Sequence, residues 1–579
     1  MKKCRLAGYC RLMTRRRTYK RDALLQLSIV IGIIIALNVL SSVFFTRTDL
    51  TSDRRYTLTD STRQLLRRLD DVVFVKIYLE GDFPAGFKRL ATSTKELLNE
   101  FKVYGGDRIQ YEFEDPTKGK SEKELNEILK EFALKGLEPT NVRNNAGDEY
   151  SEKIIVPGAL VNYKGRQVAV NLLENTPGTA AQEALNNSVA HLEDKFAQAI
   201  ESMSMIRKPR IGIIRGQGEL GNLAMADYAK SLSAFYDLQV IYPDSVTEIK
   251  KDFKAIIIAK PTQSFSEQNK FKIDQYLMNG GKILWLVEAL NAELDTVVKR
   301  RSFMTTDYPL NLEDQLFRYG IRINPGLLLD LQCNPVPLLV SYEGTQPKFN
   351  LFPCYYFPVF TPEGNHPINK GINAVSSMFT ASIDTLALKE VSKTVLLTSG
   401  DHSRFVFTPW LVDFKELKAR PDGQLYNKKK VMTAVLLEGS FPSIFANRIA
   451  PEMLQTLSDS LKMPFREKSA ETKMIVIADG DIARNEVNAQ GQPLPLGFYR
   501  FTGEYFGNRD FLLNCMDYLT GYTQHLDTRS KKVQLRLLNA EKVKAEKTRW
   551  QLINTLLPIG LLLAFALLFN LIRHRQYAH

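Results

Sequence analysis

Residues Phe253–Val287 read FKAIIIAKPTQSFSEQNKFKIDQYLMNGGKILWLV. An apolar run, Phe253–Ala259, gives way to a polar helical stretch, Ser266–Met278, then to Gly280-Gly281 and a second apolar run, Lys282–Val287. Short apolar runs bounded by turn residues are strands buried on both faces, and strand–helix–strand in that order sets two strands parallel. Upstream, Arg210–Ile214 (RIGII), the turn Arg215–Gly221 (RGQGELG), a helix Asn222–Tyr236 and a strand Leu238–Ile241 repeat the pattern. Downstream, strands are predicted at Thr394–Thr398, Met432–Leu437 and Met474–Ala478, with a closing helix Arg509–Leu519. The reading is a parallel α/β sheet, covered on both faces, spanning 208–525. Residues 300–390, rich in proline and aromatics (PVPLLV, LFPCYYFPVF), read as an insertion lying on that sheet.

A second unit precedes it over 50–175. Val72–Leu79 (VVFVKIYL) is a β-branched strand, Gly86–Tyr104 a helix, Arg108–Glu114 (RIQYEFE) an alternating strand, and Ser121–Lys135 a helix closed by Gly136. Lys153–Tyr163 and Arg166–Leu172 then form a hairpin about Lys164-Gly165. This βαβαββ order resembles the thioredoxin fold. Where a thioredoxin carries C-x-x-C, this chain has Gly81–Phe87 (GDFPAGF), so it holds no thiolate and no redox couple there. The resemblance places a cis peptide bond at Val156–Pro157. Between the two units, 179–206 reads as one connecting helix, with Leu185, Val189, Leu192, Phe196, Ala199 and Met203 as its apolar stripe.

The charge distribution decides what surrounds these units. The chain has 579 residues and a net charge of +13, from 77 Lys+Arg against 64 Asp+Glu. Nine of the basic residues lie in 1–22 with no carboxylate before Asp22, and Arg573 and Arg575 lie in the last seven residues; without these the body holds 66 basic residues against 64 acidic. A nucleic-acid binder carries its charge on a folded face. Here it flanks two apolar segments, and no nucleic-acid partner is expected. Ala23–Phe45 is uncharged over 23 residues and Leu552–Ile572 over 21. At ~1.5 Å per residue each reaches across a ~30 Å hydrocarbon core, and two transmembrane helices, 23–45 and 552–572, are predicted. The basic tail 1–22 holds the N-terminus in the cytoplasm, the tail 573–579 returns there, and the body lies on the far side of the membrane. Segment 527–551 is basic and amphipathic and enters the second span, which fits contact with membrane lipid or a membrane partner.

Known chemistries fit poorly. G-x-x-x-x-G-K-[ST] and G-x-S-x-G are both absent, and RGQGELG is not G-x-G-x-x-G; Gly216 and Gly218 serve a tight turn better than a dinucleotide. The outer cysteines Cys333, Cys354 and Cys515 are odd in number and unclustered, and His191, His366, His402 and His525 have no metal-ligand spacing. No cofactor, no metal and no catalytic residue is expected. The sheet resembles class I glutamine-amidotransferase-like domains, but the nucleophile region is Trp285–Asn291 (WLVEALN), with no cysteine. Asp479 and Asp481 follow a predicted strand at the carboxyl edge of the sheet, where open α/β sheets bind ligands. The plainer reading makes them loop carboxylates capping the next helix.

Taken with Arg55–Thr59 (RYTLT), Ala184–Ser188 (ALNNS), Leu310–Pro325 (LNLEDQLFRYGIRINP), His366–Gly371 (HPINKG), Ile477–Asn485 (IADGDIARN) and Gly507–Leu519 (GNRDFLLNCMDYL), the run Phe253–Val287 resembles the GldG family. These are gliding-motility-associated ABC transporter auxiliary proteins of Bacteroidota. The resemblance implies a non-catalytic subunit in the inner membrane, its body periplasmic, that partners an ABC permease and a separate ATPase subunit, and it supplies no catalytic residues. Coupling is expected to run through Lys542, Lys544 and Lys547 into the second span, where Pro558 lets the helix adjust. A rival reading is a membrane-anchored periplasmic hydrolase or carbohydrate-processing enzyme with Asp479 and Asp481 as acid and base. It requires both carboxylates to converge, buried, with a perturbed pKa. A third is a structural anchor for gliding machinery.

Overall fold

The computed structural model describes residues 25–38, 57–81, 83–137, 139–144, 151–173, 181–205, 207–294, 302–372, 374–455, 459, 464–488, 490–522, 526 and 540–577. The tails 1–22 and 578–579, His525 and all of 527–539 lie outside these residues.

Two sheets organise the body, a mixed α/β architecture. The smaller has four strands in the order Ile109–Phe113, Val73–Ile77, Gly158–Tyr163, Arg166–Asn171. The first pair is parallel and the others antiparallel. A parallel pair needs a crossover, and the helix Ala85–Gly105 supplies it, burying Leu90, Leu98 and Phe101 against Val73, Val75 and Ile77. The connecting segment forms two helices, Ala181–Ala190 and Leu192–Ser204. The Ser188 hydroxyl donates to the Ala184 carbonyl at 2.6 Å. Such back-bonding bends helices, and regular helix is interrupted at His191. The apolar stripe still holds, since Leu185, Leu192, Phe196, Ala199 and Met203 all join the core of the small sheet.

Val156–Pro157 is not cis; the cis X-Pro bond among the described residues is Thr408–Pro409. The Gly158 N–H donates to the Val156 carbonyl at 2.8 Å, a three-residue turn about Pro157. A proline φ suits that turn with a trans bond.

The larger sheet runs Asp237–Ile241, Arg210–Ile214, Phe253–Ala259, Ile283–Leu286, Thr472–Ile477, Met432–Gly439, Val391–Thr398, Gln346–Pro362, Cys333–Glu343. The first five are parallel; from Met432–Gly439 onward every pairing is antiparallel. The sheet is therefore mixed, not parallel throughout, because the later strands return by hairpins and loops without crossover helices. Residues 333–362 correct the expectation of an insertion lying on the sheet. They form a long hairpin that extends it, with Thr361 and Pro362 paired to Thr398 and Leu397. Pro335 and Pro337 lie on its outermost strand, the place in a sheet that tolerates proline.

Each face of this sheet has its own core. Tyr228, Leu232, Phe511, Met516 and Leu519, from helices Ala226–Ser233 and Asn508–Thr520, cover one. Ile273, Leu277 and Leu316, from Glu267–Met278 and Glu313–Arg318, cover the other. Near the C-terminus a single helix, Ala540–Tyr577, runs for 38 residues. Its segment Glu546–Arg575 is long and apolar enough to cross a membrane. The other apolar helix described, Leu25–Asn38, is shorter than a span requires; the rest of 23–45 lies outside the described residues.

Candidate functional site at the carboxyl edge of the large sheet

Three neighbouring parallel strands deliver charged residues to one place. Phe253–Ala259 ends at Lys260, Ile283–Leu286 leads to Glu288 and Glu293, and Thr472–Ile477 leads to Asp479, Asp481 and Arg484. Strand register fixes this meeting, since Ala259 pairs with Leu286 and Leu286 with Ile477. Lys260 is only 2% exposed and holds a positive φ of 52°. Its N–H donates to the Leu286 carbonyl at 2.8 Å, which holds this unfavourable backbone conformation in place.

The Lys260 ammonium donates to Asp481 Oδ2 and approaches Glu293 Oε1, both at 2.7 Å. Arg484 closes the ring, 3.0 Å from Glu293 and 3.4 Å from Asp481. Asp479 Oδ1 accepts the Asp481 N–H at 2.7 Å, while Oδ2 accepts the Thr380 hydroxyl at 3.2 Å and the Met378 N–H at 3.4 Å. Glu288 Oε2 accepts the Gly480 N–H at 3.1 Å. Burial depresses the Lys260 ammonium, but Asp481, Glu288 and Glu293 outweigh it and hold it above its ordinary value. Burial pushes Glu288 well above the usual carboxylate range, with Asp479 and Asp481 adding to the rise and Lys260 opposing it. Burial and the neighbouring Asp481 push Asp479 up to about 6.

The structure brings Asp479 and Asp481 together and buries both. Asp479 Oδ1 accepts the Asp481 N–H where the short helix Asp481–Ala483 begins, but the N-cap position of that helix is Gly480 and carries no side-chain cap. Lys260, Glu288, Glu293, Arg484 and Thr380 were missed from sequence. The available signal was positional, because Lys260 and Glu288 are the first charged residues after their apolar runs. Of the other candidates, Lys542 and Lys544 lie early in the helix Ala540–Tyr577, and Lys547 is exposed on it. His366 is half-buried; its Nδ1 accepts the Ile368 N–H at 3.3 Å and its ring meets Tyr518 edge-on at 4.7 Å, a packing role. His402 is exposed. Cys333, Cys354 and Cys515 are free, and no acidic, histidine or cysteine group among the described residues is arranged to hold a metal.

Gly480 allows the close packing of the edge. A Cβ there would lie 2.6 Å from Lys260 Cβ and Cγ and 3.0 Å from its Cα. Gly480→Ala is expected to lower unfolding free energy by about 1–3 kcal/mol, the usual cost of overpacking a filled interior, as read by denaturant melts of the detergent-solubilised chain. A loss below a few tenths would mean that the edge is loosely packed.

Residues 208–515 match the family model described as an ABC-type uncharacterized transport system, and residues 52–162 match a model described as a domain of unknown function. An uncharacterized protein of Borreliella burgdorferi is 17% identical over 478 residues, covering 82% of this chain and 85% of that protein. Among solved structures, the mmIFT52 N-terminal domain is 14% identical with a TM-score of 0.29, covering 54% of this chain and 97% of that one.

Proposed function

We propose a function from one premise, that this chain belongs to the ABC-type uncharacterized transport system family as an auxiliary component. It is an accessory transporter protein, and such a system has permease and ATPase components as partners. The finer reading is a non-catalytic subunit of an inner-membrane ABC transporter linked to gliding motility, of the GldG kind. It has two membrane spans, both termini cytoplasmic and its body periplasmic. The sheet order of the 50–175 unit supports a thioredoxin-like domain, and the five parallel strands within 208–525 support an amidotransferase-like one.

The observation that carries the non-catalytic reading is the closed state of the sheet edge. Lys260, Asp481 and Asp479 are engaged by the chain's own groups, and the three strands end in Lys260, Glu288 and Asp479 without a thiol or hydroxyl nucleophile. The helix Ala540–Tyr577 supports the coupling role. At ~1.5 Å per residue its length exceeds the ~30 Å hydrocarbon core by several turns. The basic turns bearing Lys542, Lys544 and Lys547 are thus continuous with the span, and movement of one moves the other.

Affinity purification from gently solubilised membranes is expected to recover a permease and an ATPase in fixed ratio; recovery of the chain alone would sink the reading. Charge reversal to glutamate at Lys542, Lys544 and Lys547 is expected to leave that complex assembled while transport falls roughly tenfold, equivalent to about 1.4 kcal/mol of lost coupling. Unchanged transport would remove the coupling route. The hydrolase reading retains one favourable observation, a buried Asp479 held near 6 as a general acid would be. It ranks second because both Asp479 oxygens already accept hydrogen bonds from the protein.

A further inference from the structure

The outer half of the hairpin Cys333–Glu343/Gln346–Pro362 stands in solvent, since residues 340–351 are all exposed. A two-residue turn, Gly344-Thr345, closes it, with Gly344 at a φ of 63°. Residues directly opposite each other on two strands share a face, so the register sorts the side chains. One face carries Pro337 opposite Leu351, Leu339 opposite Phe349 and Tyr342 opposite Pro347, all six apolar. The other carries Val336 opposite Phe352 and Leu338 opposite Asn350 near the base. Toward the tip it carries Ser341 opposite Lys348 and Glu343 opposite Gln346.

This pattern is the reverse of what the protein's own core needs. Val336 and Leu338 pack with Leu417, Tyr355 and Tyr426 in the core at the hairpin's base, so the all-apolar face is the one turned away from it. On that face Tyr342, Phe349 and Leu351 are 65%, 55% and 51% exposed. A register shift between Leu339 and Ser341 makes Val340 an extra residue. Without that bulge Tyr342 would sit opposite Lys348 on the polar face; with it, Tyr342 joins Leu339. Single exposed apolar residues are ordinary, but a contiguous face of them marks an interaction surface. Pro335 and Pro337 on the outermost strand disfavour addition of a further strand at the edge, which leaves the face as the contact.

The neighbouring charge selects the partner. Segment 415–430 (KELKARPDGQLYNKKK) sets six Lys and Arg against Glu416 and Asp422, a local net charge of +4 in a body of 66 basic and 64 acidic residues. All six cations are exposed. The segment is fastened to the hairpin: the Lys418 ammonium donates to the Leu339 carbonyl at 2.6 Å, and the Tyr426 ring meets Tyr355 edge-on at 5.7 Å. Glu363 takes one of the cations, Lys430, at 3.0 Å. An apolar face bearing a tyrosine, beside a cationic segment, fits an anionic bilayer surface. The side chains enter the headgroup zone and the cations meet phosphodiester groups. A second copy fits less well, because a two-fold contact through this face sets two like-charged segments about one interface. We propose that the outer half of this hairpin docks on an anionic lipid bilayer through Leu339, Tyr342, Phe349 and Leu351. This goes beyond the accessory-subunit reading and needs from it only that the chain is held at a membrane.

The test uses the full chain reconstituted in vesicles of phosphatidylcholine and phosphatidylglycerol in equal parts, their acyl chains brominated to quench nearby tryptophan. Phe349→Trp places a probe on the face, and the parent chain, with Trp285, Trp410 and Trp550, gives the background to subtract. The added emission is expected to be quenched at least roughly twofold in these vesicles. That quenching should fall at least roughly twofold in phosphatidylcholine alone, and likewise with Lys415→Glu, Arg420→Glu and Lys429→Glu combined. Adding Leu351→Asp is expected to abolish the quenching and leave the melting temperature unchanged, since the side chain it replaces is already half exposed. Flotation of the chain with the vesicles reports the membrane anchor separately. A chain that does not float fails the anchor, and the premise of the proposal with it. A chain that floats with its added tryptophan unquenched overturns the docking itself. The face then belongs to a protein, and to a second copy if Leu351→Asp dissociates a dimer in light scattering. Quenching that ignores both the phosphatidylglycerol and the charge reversals, or that survives Leu351→Asp, would also overturn it.

Discussion

Lys260→Met is expected to cost about 3–5 kcal/mol of unfolding free energy, the range for removing one partner of a buried ion pair. Methionine keeps the stem volume and the Cβ, so the loss isolates the charge. Lys260 is the one cation here with no exposed route to relief: its side chain is nearly as inaccessible as that of Asp481, whereas Arg484 and Glu293 reach partly into solvent. Without it, Asp481 keeps only Arg484 at 3.4 Å, and Glu288 loses the attraction that opposes its rise. The companion Lys260→Met/Asp481→Leu removes both charges and is expected to recover at least half of the loss, because an apolar pair of similar volume replaces a buried ion pair at little net cost. Denaturant melts of the two variants against the parent chain decide it. A single-variant loss under about 1 kcal/mol would place Lys260 among ordinary surface pairs and remove the case for a closed, buried cluster.

How much of this was legible from sequence follows from what each feature depends on. The strand Phe253–Ala259 was read to the residue, because an apolar run between charged neighbours has one solution at a sheet centre. The helix Glu267–Met278 was also plain, with Ser266 as its N-cap accepting the Asn269 N–H. Strand direction was not legible: the apolar run of Met432–Gly439 looks the same parallel or antiparallel, and only its partner's register decides. The hairpin Cys333–Glu343/Gln346–Pro362 was hidden by its prolines, which argue against a central strand but are tolerated at an edge. At Pro157 the fold resemblance carried the expectation, and a local three-residue turn met the same need. Asp479 and Asp481 were found because they share one loop. Lys260 lies 221 positions from Asp481, so only the pairing of three strands brings them together.

Asp479→Asn is expected to change how stability varies with pH, and the sign follows from burial. In the unfolded chain Asp479 releases its proton near the ordinary 3.8; in the folded protein burial, with Asp481 adding to it, holds the group at about 6. Between those values the folded state binds a proton that the unfolded state has lost, so this residue's contribution is full below pH 4 and disappears as pH rises through 6. A gap of that size is worth about 3 kcal/mol across the window. Other groups tilt the whole curve, among them Asp70, which Lys164 and Tyr163 hold down at about 2. The informative quantity is therefore the difference between parent and variant at each pH. The amide cannot titrate, and its oxygen can still accept the Asp481 N–H; the lost acceptor for Met378 adds an offset that does not vary with pH. The parent should lose about 2–2.5 kcal/mol relative to the variant from pH 4 to pH 7, most of the full window. A difference that stays flat would mean that Asp479 titrates alike in both states. The buried edge would then be ionised and hydrated, which removes the basis for calling it closed and reopens the ligand-accessible edge that the hydrolase reading needs.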